Sequence, residues 1–491
     1  MMFRLFALLG LLLLTDCGKR AIDYPLAAGE SNIDRRQIEA EADRPLVVLS
    51  FSGGGSRAAA LAAAVTARLD GITYPTPTGQ RRLSQDIDVV SSVSGGSVYA
   101  AEIGLRGPGG NTARAFEQRI GAFDGIGGYL LPRAADPFTW ISLQLENQTR
   151  ITILQDMIGD LLQITPDTTL ARFNQPGQPV ILMNASDMVA GEIFSFEPAM
   201  FDDLCMSFDR VPVSLAVTAS AAFPFAFTPV LLKNDSYPPG NCLGRQQPPG
   251  NWHNALGVPA GRYANLADFR QARYRDSLRA APAAFRQPDY VRLVDGGVVD
   301  NLGLGAVRRT LLTPGSPVDI ARLSQQGKLR QLVVISVNAR SDARNPLDAS
   351  PRYTDLLDMA EAVSGVLVDS AAAGSAETFQ AFIATLAEDR ASLLRQGVAQ
   401  AAFEIYPISI DFDQLPDATV AEQGELTRVK SIATSWTLAD GDIALLDKVA
   451  GELLWRHPCF RKLLNDIHGT GREEAAAVAD AACPVPSTAG Q

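Results

Sequence analysis

A chain of 491 residues that is 46% apolar and 20% charged can bury a large core, and its composition excludes wholesale disorder. The formal net charge of −11 works against nucleic acid and against anionic lipid headgroups as electrostatic partners, so any membrane contact must rest on an anchor or an apolar surface. With three histidines (His253, His457 and His468) and no Cys-x-x-Cys pair there is no metal-ligand spacing, and neither a metal nor a cofactor is expected.

Arg4 gives the N-terminus a positive charge, and Leu5 to Leu14 is an almost unbroken apolar run. It is shorter than the about 20 residues of a spanning helix, which makes it a targeting segment. Leu14-Thr15-Asp16-Cys17 is similar to a bacterial lipoprotein signal, although Asp16 stands where a small residue is usual. Lipidation of Cys17 would hang the chain from a membrane by acyl groups, and Gly18 after it leans towards the outer membrane, facing the periplasm. The expected organisation is a signal peptide over 1–17, a polar tether over 18–44, a folded domain over 45–468 and a polar, Ala-rich tail over 469–491.

Leu46 to Phe51 is a short apolar run ending in glycines, as buried strands do, and Arg57 to Val65 is an Ala-rich helix. The pattern repeats with a strand over Ile87 to Val93 and a helix over Gly96 to Leu105. Further strands are expected at Val180 to Asn184, Tyr290 to Val294, Leu332 to Val337 and Phe403 to Ile410. This alternation predicts a mostly parallel sheet covered on both faces. A Pro/Gly/Asn-rich insertion occupies about 233–262, and Thr354 to Gln396 reads as helix. Ile443, Leu446, Ala450, Leu453 and Leu454 mark an amphipathic helix near the end. Tyr129 to Ile141 is apolar and fits either a lipid-facing lid or ordinary core. An exported chain can keep disulfides; Cys205 with Cys242 and Cys459 with Cys483 close the shortest loops, and all four could equally be buried thiols.

Three segments carry chemistry. Ser92-Val93-Ser94-Gly95-Gly96 lies where a strand gives way to a helix. A nucleophilic Ser needs such a tight turn, with small neighbours, so that its hydroxyl projects while a helix N-terminus faces the developing charge. Gly53-Gly54-Gly55-Ser56-Arg57 can bring backbone N–H groups onto one oxygen atom; it fits neither a Walker loop nor a dinucleotide fingerprint. Asp295-Gly296-Gly297 follows the strand Tyr290 to Val294, and an Asp at the C-terminal end of a parallel strand sits where open α/β sheets hold their ligands, although Asp-Gly also marks an ordinary turn.

In this order the three segments resemble the patatin-like phospholipase family, with its Gly-Gly-Gly-x-Arg/Lys loop, Gly-x-Ser-x-Gly nucleophile and Asp-Gly-Gly/Ala base. Ala219-Ser220-Ala221-Ala222-Phe223-Pro224 is similar to a further block of that family, and Ile432 to Leu438 to a late segment of bacterial members. Ser92 replaces the first Gly, and Gly303 stands where many members have Pro. The resemblance implies a three-layer α/β/α sandwich, a Ser94–Asp295 dyad and an oxyanion hole from Gly53, Gly54 and Gly55. Arg57 would stabilise the loop or bind the phosphate of a substrate. It implies a serine acyl-ester hydrolase acting on phospholipids, lysophospholipids or simpler esters; a thioesterase or acyltransferase, or an idle lipid-binding lipoprotein, are the alternatives. Histidine is the commoner base, and His253, His457 and His468 are its candidates.

Overall fold

The computed structural model describes residues 21–27, 30–36, 44–125, 150–224, 226–236, 266–279, 288–340, 356–415, 420–470 and 483. The strands in chain order are β1 (Leu46–Phe51), β2 (Thr73–Thr76), β3 (Gly79–Arg82), β4 (Ile87–Val93), β5 (Val180–Asp187), β6 (Glu192–Ser195), β7 (Val230–Lys233), β8 (Tyr290–Asp295), β9 (Gln331–Asn338) and β10 (Glu404–Asp411). The helices that matter for the site and its support are α1 (Gly55–Asp70), α2 (Gly95–Arg106), α3 (Val213–Ser220), α4 (Leu304–Leu312), α5 (Leu356–Arg395), α6 (Asp440–Arg456) and α7 (Pro458–Asp466).

β1 is apolar at every position but Ser50, whose buried hydroxyl donates to the Leu302 carbonyl, because both its faces are covered. Val47, Leu49 and Phe51 point into one core, which α1, α2, α3, α6 and α7 close. Leu46 and Val48 point into a second, under α4 and α5. β9 divides the same way, Val333, Ile335 and Val337 against Leu332 and Val334. This period of two, apolar on both sides, is what a sheet between two helical layers requires, and it makes the three-layer α/β/α sandwich. The Ala-rich stretch of α1 lets that helix lie close to its neighbours, and every residue from Ala58 to Val65 is buried.

The sheet order is β10-β9-β1-β4-β5-β8-β7, with β6 on β5. From β10 to β5 all neighbours are parallel. β8 departs from the expected direction: it runs antiparallel to β5, and β7 antiparallel to β8. Apolar runs carry no direction, and a strand's sense is set by the connection that precedes it.

Residues 21–27 and 30–36 are not a free tether. The Ile22 N–H donates to the Leu231 carbonyl and the Lys233 N–H to the Ile22 carbonyl, which adds a bridge at β7. Asn32 binds Asp202 and the Met206 carbonyl. Arg44 fixes the start of β4 through Asp88 at 2.8 and 2.9 Å. At the other end the tail is tied down by a disulfide between Cys459 and Cys483. Cys205 is also disulfide-bonded, with its partner outside the described residues. No helix among the described residues is long and apolar enough to cross a membrane.

Candidate active site

β4 ends at Val93 and α2 begins at Gly95, so a single residue makes the turn. That residue, Ser94, has φ 51° and ψ −122°, a backbone conformation that costs of order 1–3 kcal/mol and persists only where its surroundings enforce it. The surroundings are glycine. A Cβ on Gly95 would fall on the Gly55 carbonyl, with the Gly55 Cα at 2.7 Å, so only a bare residue lets the 53–55 loop lie against the elbow. Ser92, in the place of the family's first Gly, is accommodated inside β4: its hydroxyl donates to the Leu182 carbonyl at 3.1 Å and accepts from Ser97 at 3.0 Å.

The Asp295 carboxyl reaches Ser94 from the far side of β5. Val93 is in register with Asn184, and Asp295 with Ala185. One step past Val93 therefore brings Ser94 level with Ala185, flanked on the other side by Asp295. The antiparallel run of β8 brings the Asp295 carboxyl to the same spot that a parallel strand was expected to reach. Asp295 is 5% exposed. Burial pushes its pKa up to about 6, while the hydrogen bond from the Ser94 hydroxyl and the Gly297 N–H at 2.8 Å hold it down.

The glycine loop meets both. A Cβ on Gly53 would lie 3.3 Å from the Ser94 Cβ and 2.5 Å from Asn301 Oδ1. The three amides are not equivalent. The Gly53 N–H is taken by Asn301, whose carbonyl and Oδ1 accept it at 3.1 and 3.2 Å. Gly54 and Gly55, at φ 136° and 60°, open α1, where N–H groups lack intrahelical partners, and their amides meet no acceptor among the described residues. Two of the three expected donors are thus free. Sequence reasoning missed Asn301, six residues after Asp295, although an Asn so near a base turn was the available signal.

Arg57 corrects an expectation. The residue is 2% exposed, and its guanidinium donates to the Ala339 carbonyl at 2.8 Å, to the Ile432 carbonyl and to Thr434 Oγ1 at 3.2 Å. Burial lowers its pKa to about 10. It is not a substrate-binding group; it stabilises the loop by lashing the start of α1 to the exit of β9 and to the 432–434 segment. The Ser52 hydroxyl adds a second tie, accepting the Ala339 N–H at 2.9 Å. Asp300 likewise holds structure, accepting from the Gly305 N–H at 2.8 Å and from Ser375 at 2.5 Å. Gly303 has φ 68°, which proline cannot adopt, and its carbonyl accepts from Ser91 at 2.7 Å.

His457 accepts the Ser409 N–H on β10, three strands from β4, and burial followed by the charge of Arg461 pushes its pKa down to about 4. It is no base for Ser94. His468 lies beyond α7 at the end of the domain. His253, Cys17, Cys242, the 129–141 stretch and most of the 233–262 insertion lie outside the described residues.

A mostly parallel three-layer sandwich thus sets a strained serine, a buried carboxylate and a glycine loop around one point. The patatin-like phospholipase family model matches residues 49–308, more than half of the chain, and the chain belongs to that family. Among solved structures it is similar to human GIVD cytosolic phospholipase A2, with 12% identity over 86% of this chain and 60% of that one at a TM-score of 0.41. The same human enzyme in complex with methyl gamma-linolenyl fluorophosphonate gives 12% identity over 89% and 60%, at a TM-score of 0.40. The chain thus spans less than two thirds of the length of these proteins. No curated protein matches the sequence.

Proposed function

We propose that this protein is a serine acyl-ester hydrolase of phospholipase A or lysophospholipase type, working through Ser94 and Asp295. The observation that carries the reading is that the register sets a serine at a strained elbow across β5 from a buried carboxylate whose pKa burial pushes up to about 6. Such a carboxylate is ionised at neutral pH yet far more basic than an ordinary aspartate, which is what general-base catalysis needs.

Asp295 takes the proton from the Ser94 hydroxyl as that oxygen attacks the ester carbonyl. Negative charge collects on the carbonyl oxygen, where the Gly54 and Gly55 N–H groups meet it; one such donor typically contributes about 2.7–4 kcal/mol to lowering the barrier. The alcohol leaves with the proton, and a fatty acyl group stays on Ser94. Water, deprotonated by Asp295, releases the acid. Attachment to a bacterial envelope membrane through Cys17 belongs to the same proposal; the Cys459–Cys483 disulfide supports an oxidising compartment.

The test compares the protein with its S94A and D295N variants on p-nitrophenyl esters, and analyses by mass spectrometry the products formed from a mixed phospholipid pool. Free fatty acid and lysophospholipid should appear with the native protein only. Undiminished turnover in either folded variant would defeat the reading.

A further inference from the structure

One short stretch of chain, at the C-terminal end of α3, holds both reacting residues by their backbones. Ser220 Oγ accepts the Ser94 N–H at 3.0 Å. The Ser220 carbonyl accepts the Gly296 N–H at 3.1 Å, and the Ala222 carbonyl accepts the Asp295 N–H at 2.9 Å. The Ser220 hydroxyl is fully buried and donates to the Asn184 carbonyl at 2.6 Å, on β5, the strand that lies between the nucleophile and the base.

We propose that Ser220-Ala221-Ala222 is a bracket that sets the separation of Ser94 from Asp295, with the Ser220 hydroxyl as its positioning residue. The inference rests on the hydrolase reading of those two residues. Its physical basis is the elbow. With φ at 51°, Ser94 has left the β4 ladder and stands before the first turn of α2, so neither element accepts its N–H. An acceptor must come from elsewhere, and it must itself be fixed. A hydroxyl does both at once, accepting from Ser94 while donating to β5. Alanine would leave a strained amide unpaired and free the elbow to relax. Because the same three residues hold the Asp295 and Gly296 amides, nucleophile and base are referred to one frame instead of to two loops.

Asp295 carries no neighbouring charge among the described residues; it faces the Ser94 hydroxyl and the Gly297 N–H. Asp300, on the helical turn after it, is held by Gly305 and Ser375. The acid limb of the pH profile therefore reads the contact between Ser94 and Asp295. The Ser94 hydrogen bond lowers the carboxyl, so loosening it moves the limb to higher pH.

The experiment uses the full chain and its S220A, S220C and S97A variants, with active sites counted by a fluorophosphonate probe. Ser97 is a second buried hydroxyl, in contact with Ser220 at 2.8 Å but not with the Ser94 amide. S220A should lower kcat on a p-nitrophenyl ester by about 10- to 100-fold at unchanged KM, the loss expected of a misplaced reacting group. Its acid limb should shift upward. S220C, close in size and a weak acceptor, should move both in the same direction, and it carries the test if S220A does not fold. S97A should lower the melting temperature and keep the limb. Native kcat and limb per titrated site in both Ser220 variants would overturn the bracket alone. Failure of the probe to label Ser94 in the native protein would overturn the hydrolase reading and the bracket with it.

Discussion

Replacing the proposed base should make the protein more stable, and the gain should depend on pH. In the folded chain burial holds the Asp295 carboxyl at about 6, against an ordinary value of 3.8. Between those values the native state binds the proton and the unfolded chain releases it, so stability falls as pH rises through that window and levels off above about 6. The separation amounts to about 3 kcal/mol, an order of magnitude set by roughly 1.4 kcal/mol per pH unit. D295N keeps an oxygen for the Gly297 N–H and has no charge to bury. Urea denaturation of the native protein and D295N should therefore give a difference that grows by about 2.4 kcal/mol in favour of the variant from pH 4 to pH 8, while ester hydrolysis is lost. Asp88, whose pKa burial also raises to about 6, titrates in both proteins and cancels. A difference independent of pH would refute the account of Asp295 as a carboxylate held ionised against its desolvation.

The same pKa predicts that kcat/KM rises through about pH 6 and is flat above it, as a pH–rate profile on a soluble ester will check. G95A forces a Cβ onto the Gly55 backbone; overpacking of this kind costs about 1–3 kcal/mol and should displace the oxyanion loop, read as a lowered melting temperature and at least a tenfold slower fluorophosphonate labelling. R57M should lower stability by a few kcal/mol, because at least two buried carbonyls lose their donor, yet leave the activity ratio between phosphate-bearing and phosphate-free esters unchanged. Opening the Cys459–Cys483 link with C483S should reduce stability by about 3 kcal/mol in denaturant titrations, as expected for a sequence separation of 24.

The elements that build the site were readable because each combines a period with a stop. β1 and β4 are mostly apolar strands that run into glycine-bearing turns, and α1 and α2 follow at once; the structure extends the first helix by two residues at its start and five at its end, and the second by one at each end. Helix α5 was expected over 354–396 and spans Leu356–Arg395. Short strands were not readable: β6 and β7 have four residues each, too few for alternation to stand out, and β2 and β3 form a small, partly exposed hairpin. The direction of β8 lay beyond any local pattern.

Among site residues, those whose role needs a rare backbone conformation stood out, since only glycine-rich turns can supply it. Those whose role is to hold another residue did not. Ser220 fell within the Ala219–Pro224 block, yet neither its bond to the Ser94 amide, 126 positions away, nor that of Asn301 to Gly53, 248 away, can be read from the sequence. Arg57 shows the converse. Its chemistry suits a phosphate, and only its burial reveals that its donors are spent on the chain itself.

Because β8 returns against β5, hydroxyl and carboxylate stand on opposite flanks of a single strand. The gap they must span is two inter-strand spacings, roughly 9–10 Å between main chains. That width is a constant of hydrogen-bonded sheets, and within the connection from Asp187 to Tyr290 the 220–222 segment grips both flanks of it. Residues gained or lost between β7 and β8, beyond the 220–222 segment, would leave that width as it is.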